Sequence, residues 1–339
     1  MSNLPKILVI VGPTASGKTA LAIKLARRSF SGKNLGGRAQ KYDCEIVSAD
    51  SRQIYRGMDI GTAKIKLNTN RQQFDCPELA VEGSPIANIP HHLIDIKNPD
   101  EDYSVEEYKH DAIRAINGIL KRGHLPILVG GTGLYIRAVV DNLTIPEVKA
   151  DARLRKRLEA QIKKEGLAAV AKKLISLDPE AASIVDLRNP RRVVRALEIA
   201  LKTNKPFSES QKSSPPLYEA IQIGLYPGKK ILEKRIEKRT KEMLKSGLIR
   251  EVKSLLKKYS PNSPRRYGEA SQQCKAFVGI GYREVIDYLN GKISLPEAEQ
   301  LIDKNTIHYA KRQMTWFKKD KRIKWIKNPK RLSLSDLVG

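Results

Sequence analysis

The chain has 339 residues, of which 63 are lysine or arginine and 37 aspartate or glutamate, giving a formal net charge of +26 and a pI near 9.9. Hydrophobic residues make up 40% and charged residues 29%, proportions that exclude a wholly disordered chain. No apolar run approaches the roughly 20 residues that a membrane-spanning helix needs, so we expect no membrane partner. The N-terminal apolar stretch leads directly into glycines and a lysine, which argues against a cleaved signal peptide.

The cysteines give a first indication of the compartment. Cys44, Cys76 and Cys274 are odd in number, far apart and without metal-ligand spacing, a pattern that favours free thiols in a reducing environment. We therefore expect a cytoplasmic protein. The sequence carries no signal of oligomeric state, and a monomer is the expected form.

Positive charge is concentrated in the last third of the chain. Residues 1–150 have a net charge of +4, residues 151–220 of +6 and residues 221–339 of +16. A field of this sign attracts polyanions, and each phosphate that a basic side chain neutralises releases counterions and adds affinity. The charge indicates a nucleic-acid partner, although a solvated basic surface kept for solubility would have the same composition.

Strands and helices alternate in the first half of the chain. The apolar, β-branched runs predict strands and the helical spacing of apolar residues predicts helices. In chain order these elements are strand Lys6–Gly12, helix Lys18–Ser29, strand Glu45–Ala49, helix Tyr103–Arg122 and strand Pro126–Gly130. Such alternation is typical of an α/β fold with a parallel sheet flanked by helices.

The second half is helical and charged. We predict helices over Arg153–Leu177, Pro190–Leu201 and Lys229–Lys258, a Pro/Ser-rich linker at Lys205–Pro216 and one further strand at Ile221–Tyr226. That strand would return the chain to the sheet. We therefore expect an α/β core beginning in residues 1–145, a helical insertion domain over residues 146–212, and a return to the core followed by basic C-terminal helices over residues 213–339.

A phosphate-binding loop follows the first strand. Gly12, Pro13, Thr14, Ala15, Ser16, Gly17, Lys18 and Thr19 match GxxxxGK[ST] and open a helix, the context that this P-loop motif requires. Its backbone N–H groups and the helix N-terminus attract phosphate oxygens, Lys18 adds a full charge, and the Thr19 hydroxyl is placed to bind Mg²⁺. The alternative is a chance glycine-rich turn. ATP, GTP and a plain diphosphate remain open as ligands.

Two further turns follow predicted strands. Asp50 ends the second strand, and Gly130–Tyr135, which includes Thr132, follows the third. In parallel sheets these carboxyl ends face the ligand crevice, where a carboxylate can bind a metal-bound water or remove a proton. A structural alternative for Asp50 is capping of the next helix, and Gly130–Tyr135 could be only a strand-to-helix turn.

Eight sequence blocks then carry a family resemblance. In order they are GPTASGKTALA, SADSRQIYRGMDIGTAK, IPHHLID, GGTGLY, NPRRVVRALE, RIEKRTKEMLKSGLIREV, GIGYRE and HYAKRQMTWF. Over Ile7–Trp325 the chain resembles the tRNA dimethylallyltransferase (tRNA isopentenyltransferase) family, of the bacterial type because no C-terminal Cys/His zinc finger is present. The second block is far more specific than a P-loop alone.

The resemblance implies a P-loop NTPase-like fold and an activity. The expected reaction moves a dimethylallyl group from dimethylallyl diphosphate to N6 of adenosine-37, next to the anticodon of tRNAs that read codons beginning with U, with Mg²⁺ as cofactor. The products would be N6-isopentenyladenosine and diphosphate. Asp50 would be the general base, and Lys18, Thr19 and Arg239 would hold the diphosphate and its metal, with Asp50 contributing directly or through water.

The resemblance also implies a tRNA surface. Thr132 would lie at the reaction site, and Asp50, Ser51, Arg52 and Gln53 would contact the target nucleotide. The remaining expected contacts are Arg155, Arg191, Arg192, Arg195, Lys311, Arg312 and Gln313. A stripe of arginines on a helix is also common as a solvated face, and that interpretation stays open for the helix that begins at Pro190.

The chemistry of prenyl transfer fits these residue types. The reaction develops positive charge on an allylic carbon and negative charge on a departing diphosphate, so it needs donors and a metal directed at the diphosphate. The attacking amine is a weak nucleophile because its lone pair is delocalised into the purine, so a nearby carboxylate helps by removing its proton. The base must also leave its stack, which costs least in a single-stranded loop such as the anticodon loop.

Three other functions share part of the pattern. A small-molecule kinase would use the same loop for ATP, but it does not explain the basic last third. An adenylate isopentenyltransferase would perform the same chemistry on a free nucleotide without needing that charge. An RNA-binding protein with an inactive loop is disfavoured by the intact set of Lys18, Thr19 and Asp50.

Some stretches depart from the expected pattern. Residues 31–44, 68–88 and 261–276 form stretches that are longer than expected for the family, and their role is open. Trp316 and Trp325 are expected to pack in the core.

Overall fold

The structure, a computed structural model, describes residues 4–30, 43–65, 89–146, 148, 151–211, 213–259 and 274–326, together with 329, 332, 334 and 337. The three stretches that are longer than expected lie largely outside these residues, as does Cys76. In the described part of the chain, no helix is both long enough and apolar enough to cross a membrane.

A parallel sheet forms the centre of the fold, as predicted. Its strands are β1 (Lys6–Val11), β2 (Cys44–Ala49), β3 (His91–His92), β4 (Leu125–Gly130), β5 (Glu219–Leu225) and β6 (Lys324–Ile326). The strand order is β3-β2-β4-β1-β5-β6, and every neighbouring pair is parallel. The two edge strands were not predicted, because two and three residues are too few to establish an alternation.

Helices flank the sheet and make up most of the second half. They are α1 (Lys18–Phe30), α2 (Val105–Lys121), α3 (Gly133–Val140), α4 (Ala152–Glu165), α5 (Leu167–Leu177), α6 (Ala181–Ile184), α7 (Pro190–Thr203), α8 (Lys229–Lys245), α9 (Leu248–Tyr259), α10 (Tyr282–Leu289) and α11 (Leu295–Phe317). The chain divides into two compact units, one of residues 1–136 and 218–339 and one of residues 137–217. The predicted domain boundaries after residues 145 and 212 stay predictions.

Two predicted helices are each interrupted by a glycine. The helix predicted over Arg153–Leu177 is α4 and α5, separated by Gly166 with φ 83°, and the one over Lys229–Lys258 is α8 and α9, separated by Gly247 with φ 101°. Glycine adopts this left-handed region without steric cost, so it ends a helix that the apolar pattern alone would continue.

The start of α2 shows how a local sequence signal sets a helix boundary. The helix begins after Ser104, whose side chain accepts from the Glu107 N–H while the Glu107 carboxylate accepts from the Ser104 N–H. This capping box satisfies two backbone donors that the first helical turn leaves unpaired. The helix therefore starts two residues later than predicted.

The interior of the first unit is apolar, with one buried carboxylate near the start of β2. The four central strands and α1 pack together through side chains such as Leu8, Ile10 and Leu25. Burial alone would raise the pKa of Glu45, but hydrogen bonds from Arg122, His92 and His124 lower this pKa to about 2. The charge is thus retained because every oxygen of Glu45 is paired.

Trp325 corrects a sequence expectation. It lies on the edge strand β6 against Gly224, where an added Cβ would come within 2.6 Å of the indole, and it is 37% exposed. The expectation that Trp325 packs in the core is therefore wrong. Trp316 is half-buried.

The second unit is a small helical body built around one ion cluster. Its apolar core comes from α4, α5 and α7, with Leu158, Leu174 and Leu197 among its buried residues. Glu198 on α7 is fully buried and accepts two hydrogen bonds from Arg155 and one from Arg195. Burial would raise the pKa of Glu198, whereas these donors and the Asp151 N–H lower it to about 2.

Candidate active site at the carboxyl edge of the sheet

Three neighbouring strands bring the predicted site residues to one edge of the sheet. β4 lies between β2 and β1, and Gly130 at its end pairs with Ala49 on one side and Val11 on the other. The phosphate loop follows β1, Asp50 follows β2 and a glycine turn follows β4. Because all three strands are parallel, these segments leave the sheet at the same edge.

The phosphate loop has a conformation suited to an anion. Ala15 has φ 59° and Gly17 has φ 88°, and left-handed residues within such a loop turn successive N–H groups toward one side. The Ser16 hydroxyl is buried and has no hydrogen-bond partner among the described residues. A buried hydroxyl without a partner is costly, so its presence in this loop favours a ligand with acceptor oxygens.

Lys18 lies within the loop. Its Nζ donates to the Pro13 carbonyl at 3.2 Å. Burial lowers the pKa of Lys18 to about 8; the charge of Asp50 opposes this shift and that of Arg239 adds to it. The ammonium is therefore charged at neutral pH but only weakly solvated, which increases its attraction for an anion.

Helix α8 places two arginines against the loop. Arg239 donates to the Thr14 hydroxyl at 3.3 Å, and Arg235 donates to the carbonyls of Ala15 and Ser16, each at 3.4 Å. Arg239 is a predicted site residue, whereas Arg235 was missed. The spacing of four residues, which places both on one helix face, could have indicated it.

Asp50 is both a turn cap and a candidate base. Its Oδ1 accepts from the N–H groups of Arg52 at 2.9 Å and Gln53 at 3.4 Å. Asp50 therefore caps a turn, and the helix-capping alternative is wrong because residues 51–65 contain no helix. Both bonds use the same oxygen, so these two contacts hold the carboxylate and leave Oδ2 to other partners. The turn contacts and a role as base are therefore compatible.

Thr132 joins the glycine turn to the segment after Asp50. Its Oγ1 accepts from the Ser51 N–H at 3.1 Å and lies 3.4 Å from the Ser51 hydroxyl. The side chain of Arg52 donates to the carbonyls of Lys275 and Ala276, and that of Gln53 donates to Thr62. These half-buried residues thus have internal partners as well as a predicted role at the target nucleotide.

The segment after Asp50 is held by one half-buried and one buried charge. The carboxylate of Glu251 on α9 accepts from three consecutive N–H groups, those of Asp59, Ile60 and Gly61, and from the Tyr282 hydroxyl. Lys64, whose side chain is 3% exposed, pairs with Asp59 and with Asp95. The contacts of Glu251 hold the backbone of residues 59–61, which follows the segment that carries Ser51, Arg52 and Gln53.

The predicted contacts on α11 divide between surface and interior. Lys311 and Arg312 are exposed, and the Arg312 guanidinium lies 5.7 Å from the centre of the Tyr309 ring. Gln313 is buried: its Nε2 donates to the Gly131 carbonyl and its Oε1 accepts from the Thr14 N–H. Both polar atoms of the Gln313 amide thus have partners inside the protein, and its expected tRNA contact stays a prediction.

Aromatic residues near Asp50 were missed by sequence reasoning. Tyr108 and Tyr135 stack with ring centres 3.8 Å apart, and the Tyr108 hydroxyl donates to the Ser48 carbonyl. Burial raises the pKa of Tyr309, with Asp50 adding to the shift and a hydrogen bond with Thr132 opposing it. These rings lie near the carboxylate; Tyr135 and Tyr309 belong to blocks of the family resemblance, whereas no local motif marks Tyr108.

The predicted arginines of the second unit also divide into two pairs. Arg191 and Arg192 lie in the first turn of α7 and are exposed. Arg155 and Arg195 both pair with Glu198, and Arg195 also donates to the Val148 carbonyl. The first pair is available to a ligand in solvent, whereas the second pair maintains the unit's own fold.

The fold and the loop define the class of protein. A glycine loop between β1 and α1, on a parallel sheet with helices on its faces, is a P-loop α/β protein. A family model described as IPP transferase matches residues 53–320. The chain belongs to this IPP transferase family of prenyl-transferring enzymes.

Individual relatives agree with the family assignment. A tRNA dimethylallyltransferase of Geobacillus thermodenitrificans is 42% identical over 322 residues, covering 94% of this chain and 90% of the relative. One of Geobacter sulfurreducens is 41% identical over 328 residues, covering 96% and 92%.

Solved structures extend the likeness to the fold. The tRNA isopentenylpyrophosphate transferase of Bacillus halodurans is 38% identical, with a TM-score of 0.60 and coverage of 95% of this chain and 89% of that one. A eukaryotic dimethylallyltransferase acting on tRNA is 28% identical, with a TM-score of 0.68 and coverage of 92% and 70%.

Proposed function

We propose that this protein transfers a dimethylallyl group from dimethylallyl diphosphate to N6 of adenosine-37 in tRNAs reading codons that begin with U, giving N6-isopentenyladenosine and diphosphate. The observation that carries the proposal is the placement of Asp50 and a complete phosphate loop at one sheet edge, with Thr132 in the turn that follows the strand between them. The names of the relatives support the substrate pair.

The phosphate loop would hold the leaving group. In the reaction the bond between the allylic carbon and the diphosphate oxygen breaks, and a bond from that carbon to N6 forms. Negative charge therefore grows on the diphosphate, where Lys18, Arg239, the Ser16 hydroxyl and the loop N–H groups can stabilise it. Fixed donors directed at developing charge usually give the largest single contribution to catalysis.

Mg²⁺ is the expected cofactor, and the residues present fit it. Thr19 in the first turn of α1 and Asp50 offer oxygen ligands, and the unpartnered Ser16 hydroxyl indicates an oxygen-rich ligand beside them. Mg²⁺ prefers oxygen ligands and is commonly held by one or two protein groups, waters and substrate phosphates. When bound, it would neutralise charge on the diphosphate oxygens.

Asp50 would accept the proton that N6 loses. Its Oδ1 is held by two backbone N–H groups, so Oδ2 is the oxygen directed to a substrate. The stacked pair Tyr108 and Tyr135 lies beside this segment. An apolar wall of this kind keeps water from the allylic carbon, which would otherwise be hydrolysed.

Each unit offers exposed basic residues of its own that would contact tRNA. Lys311 and Arg312 lie on α11 near Tyr309, and Arg191 and Arg192 are exposed on the second unit. The target base must leave the anticodon loop to reach Asp50. Because tRNA is the substrate, the cytoplasm is the expected compartment; a monomer stays the expected form.

One reaction tests the proposal against its alternatives. Pure protein is incubated with unmodified tRNA, dimethylallyl diphosphate and Mg²⁺, and the digested nucleosides are weighed by mass spectrometry. We expect adenosine carrying one dimethylallyl group, with no requirement for ATP. Transfer of the γ-phosphate of ATP would instead identify a kinase, and modification of free AMP in preference to tRNA would identify an adenylate isopentenyltransferase.

The lowered pKa of Lys18 predicts a pH dependence of diphosphate binding. Charged Lys18 attracts pyrophosphate, so affinity is complete below about pH 8 and falls as the pH rises through that value. The affinity for pyrophosphate should fall by up to about tenfold per pH unit, which is the slope for the loss of one proton. Calorimetric titration with pyrophosphate measures it, and Lys18→Met is the control in which that slope should disappear. An equal slope in the variant would contradict the assignment to Lys18.

The exposed arginine pair of α7 predicts a salt-dependent loss of tRNA binding. Replacing Arg191 and Arg192 with alanine should weaken tRNA binding and reduce the salt slope of log K by about two, one for each lost phosphate contact. Pyrophosphate binding should not change. Lys172→Ala with Lys173→Ala, an exposed pair on α5, is the matched control for net charge; an equal loss in that control would show that only overall charge matters.

A further inference from the structure

One side chain connects the phosphate loop to the glycine turn after β4. Gln313 on α11 accepts from the Thr14 N–H through Oε1 at 2.9 Å and donates from Nε2 to the Gly131 carbonyl at 2.8 Å. The two partners lie 299 and 182 residues away in sequence. The side chain is 6% exposed; its hydrogen bond to Gly131 is buried and that from Thr14 is partly buried.

The chemistry of the bridge suits a primary amide. A backbone N–H can only donate and a carbonyl can only accept, so their partner must both accept and donate at one end of a side chain. This also fixes the orientation of the amide. Glutamate could accept from Thr14 but would place a negative charge against the Gly131 carbonyl, and methionine could make neither hydrogen bond.

The packing around the bridge leaves no spare room. A Cβ added at Gly131 would lie 2.3 Å from Gln313 Nε2, and one added at Gly133 would lie 2.2 Å from Trp316 Cδ1. Gln313 and Trp316 are three residues apart and therefore share a face of α11. The helix thus rests directly on the backbone of the glycine turn, which only glycine permits at these two positions.

We propose that Gln313 is a positioning residue for the transfer reaction. Through Thr14 it fixes the loop that holds the diphosphate. Through Gly131 it fixes the turn that carries Thr132, which in turn bonds to Ser51 beside Asp50. Gln313 thereby sets the separation between the donor side and the acceptor side of the site. This inference rests on the proposed function and deepens it.

A kinetic comparison separates positioning from tRNA contact. Gln313→Met keeps the size of the side chain but removes both hydrogen bonds, and we expect kcat to fall about 100-fold, as for a small misplacement of reacting groups. The affinity for tRNA should stay unchanged. Thr315→Met, at an exposed position on the same helix, is the control and should retain wild-type kcat. A loss of tRNA affinity equal to the loss of kcat would overturn the positioning role.

A double-mutant cycle tests the bridge itself. Gly131 does not have a positive φ, so Gly131→Ala acts only through the clash with Gln313. Because Gly131→Ala and Gln313→Ala break the same bridge, the double variant should lose no more kcat than the worse single variant. If the fold-losses of kcat in the two single variants multiply in the double variant, the two residues act independently and the proposed bridge is wrong. The same cycle is measured on the shift of the melting temperature that inorganic pyrophosphate produces, where we expect the same non-additivity.

The two measurements also distinguish this inference from the proposed function. If the wild-type protein transfers no prenyl group to tRNA, the proposed function is overturned. The double-mutant cycle with pyrophosphate then tests the bridge by itself. If the two single variants reduce the shift of the melting temperature additively, the bridge is rejected; if the reductions are non-additive, it is supported. Melting curves without ligand identify any variant that has failed to fold, and Gln313→Glu then provides a second variant of nearly equal size.

Discussion

Replacing Asp50 with alanine is expected to lower the rate of dimethylallyl transfer by about 100- to 10,000-fold, the range that general base catalysis contributes. The amine of adenine is a weak nucleophile, and without the carboxylate its proton has no acceptor at the site. Affinity for tRNA should stay nearly unchanged, because Asp50 is one acidic group beside a strongly basic surface. Single-turnover rates and tRNA binding, measured on the same preparation, check both expectations.

Asp50→Asn separates proton removal from loop geometry. Asparagine retains a side-chain oxygen for the N–H groups of Arg52 and Gln53, so the turn should be preserved while the base is lost. We expect Asp50→Asn to be about as inactive as Asp50→Ala. If the asparagine variant kept full activity while the alanine variant did not, Asp50 would be a structural cap and not the base.

Removing the buried carboxylate of Glu198 is expected to have the largest effect on stability. Glu198→Ala leaves Arg155 and Arg195 without their shared acceptor inside the second unit. Both guanidiniums are about one-third exposed and can regain water, so we expect a loss of about 1–3 kcal/mol of unfolding free energy, the range for groups that lose their hydrogen-bond partner. Urea denaturation measures the loss, and hydrogen exchange should locate it in the helices of residues 152–203.

The matched control for this change is Glu159→Ala. Glu159 is exposed on α4, so its removal should change stability by less than about 0.5 kcal/mol. Because Glu198 lies in the second unit, its loss should also weaken tRNA binding if that unit contacts tRNA as proposed. A stability loss in Glu198→Ala no larger than in the control would show that the cluster does not hold the unit together.

Local patterns predicted the sheet and most of the candidate site. The central strands are short apolar runs bounded by glycine or proline, and their carboxyl ends are marked by the loop at Gly12, by Asp50 and by Gly130. Such signals depend on neighbours in sequence, so they can be interpreted without coordinates. The helix boundaries at Gly166 and Gly247 were missed because the apolar period continues across both glycines.

Only the tertiary structure determined which polar groups have hydrogen-bond or ion-pair partners inside the protein. Gln313 belongs to a block that the sequence associates with tRNA, yet its amide bonds to Thr14 and Gly131, far away in the chain. Arg155 and Arg195 are expected RNA ligands, and folding also pairs both with Glu198. The sequence by itself determined the phosphate loop, the parallel sheet and the position of the carboxylate, because these depend on short-range residue patterns. Which basic and amide groups remain available to a ligand depends on partners brought together by folding, and no spacing encodes them.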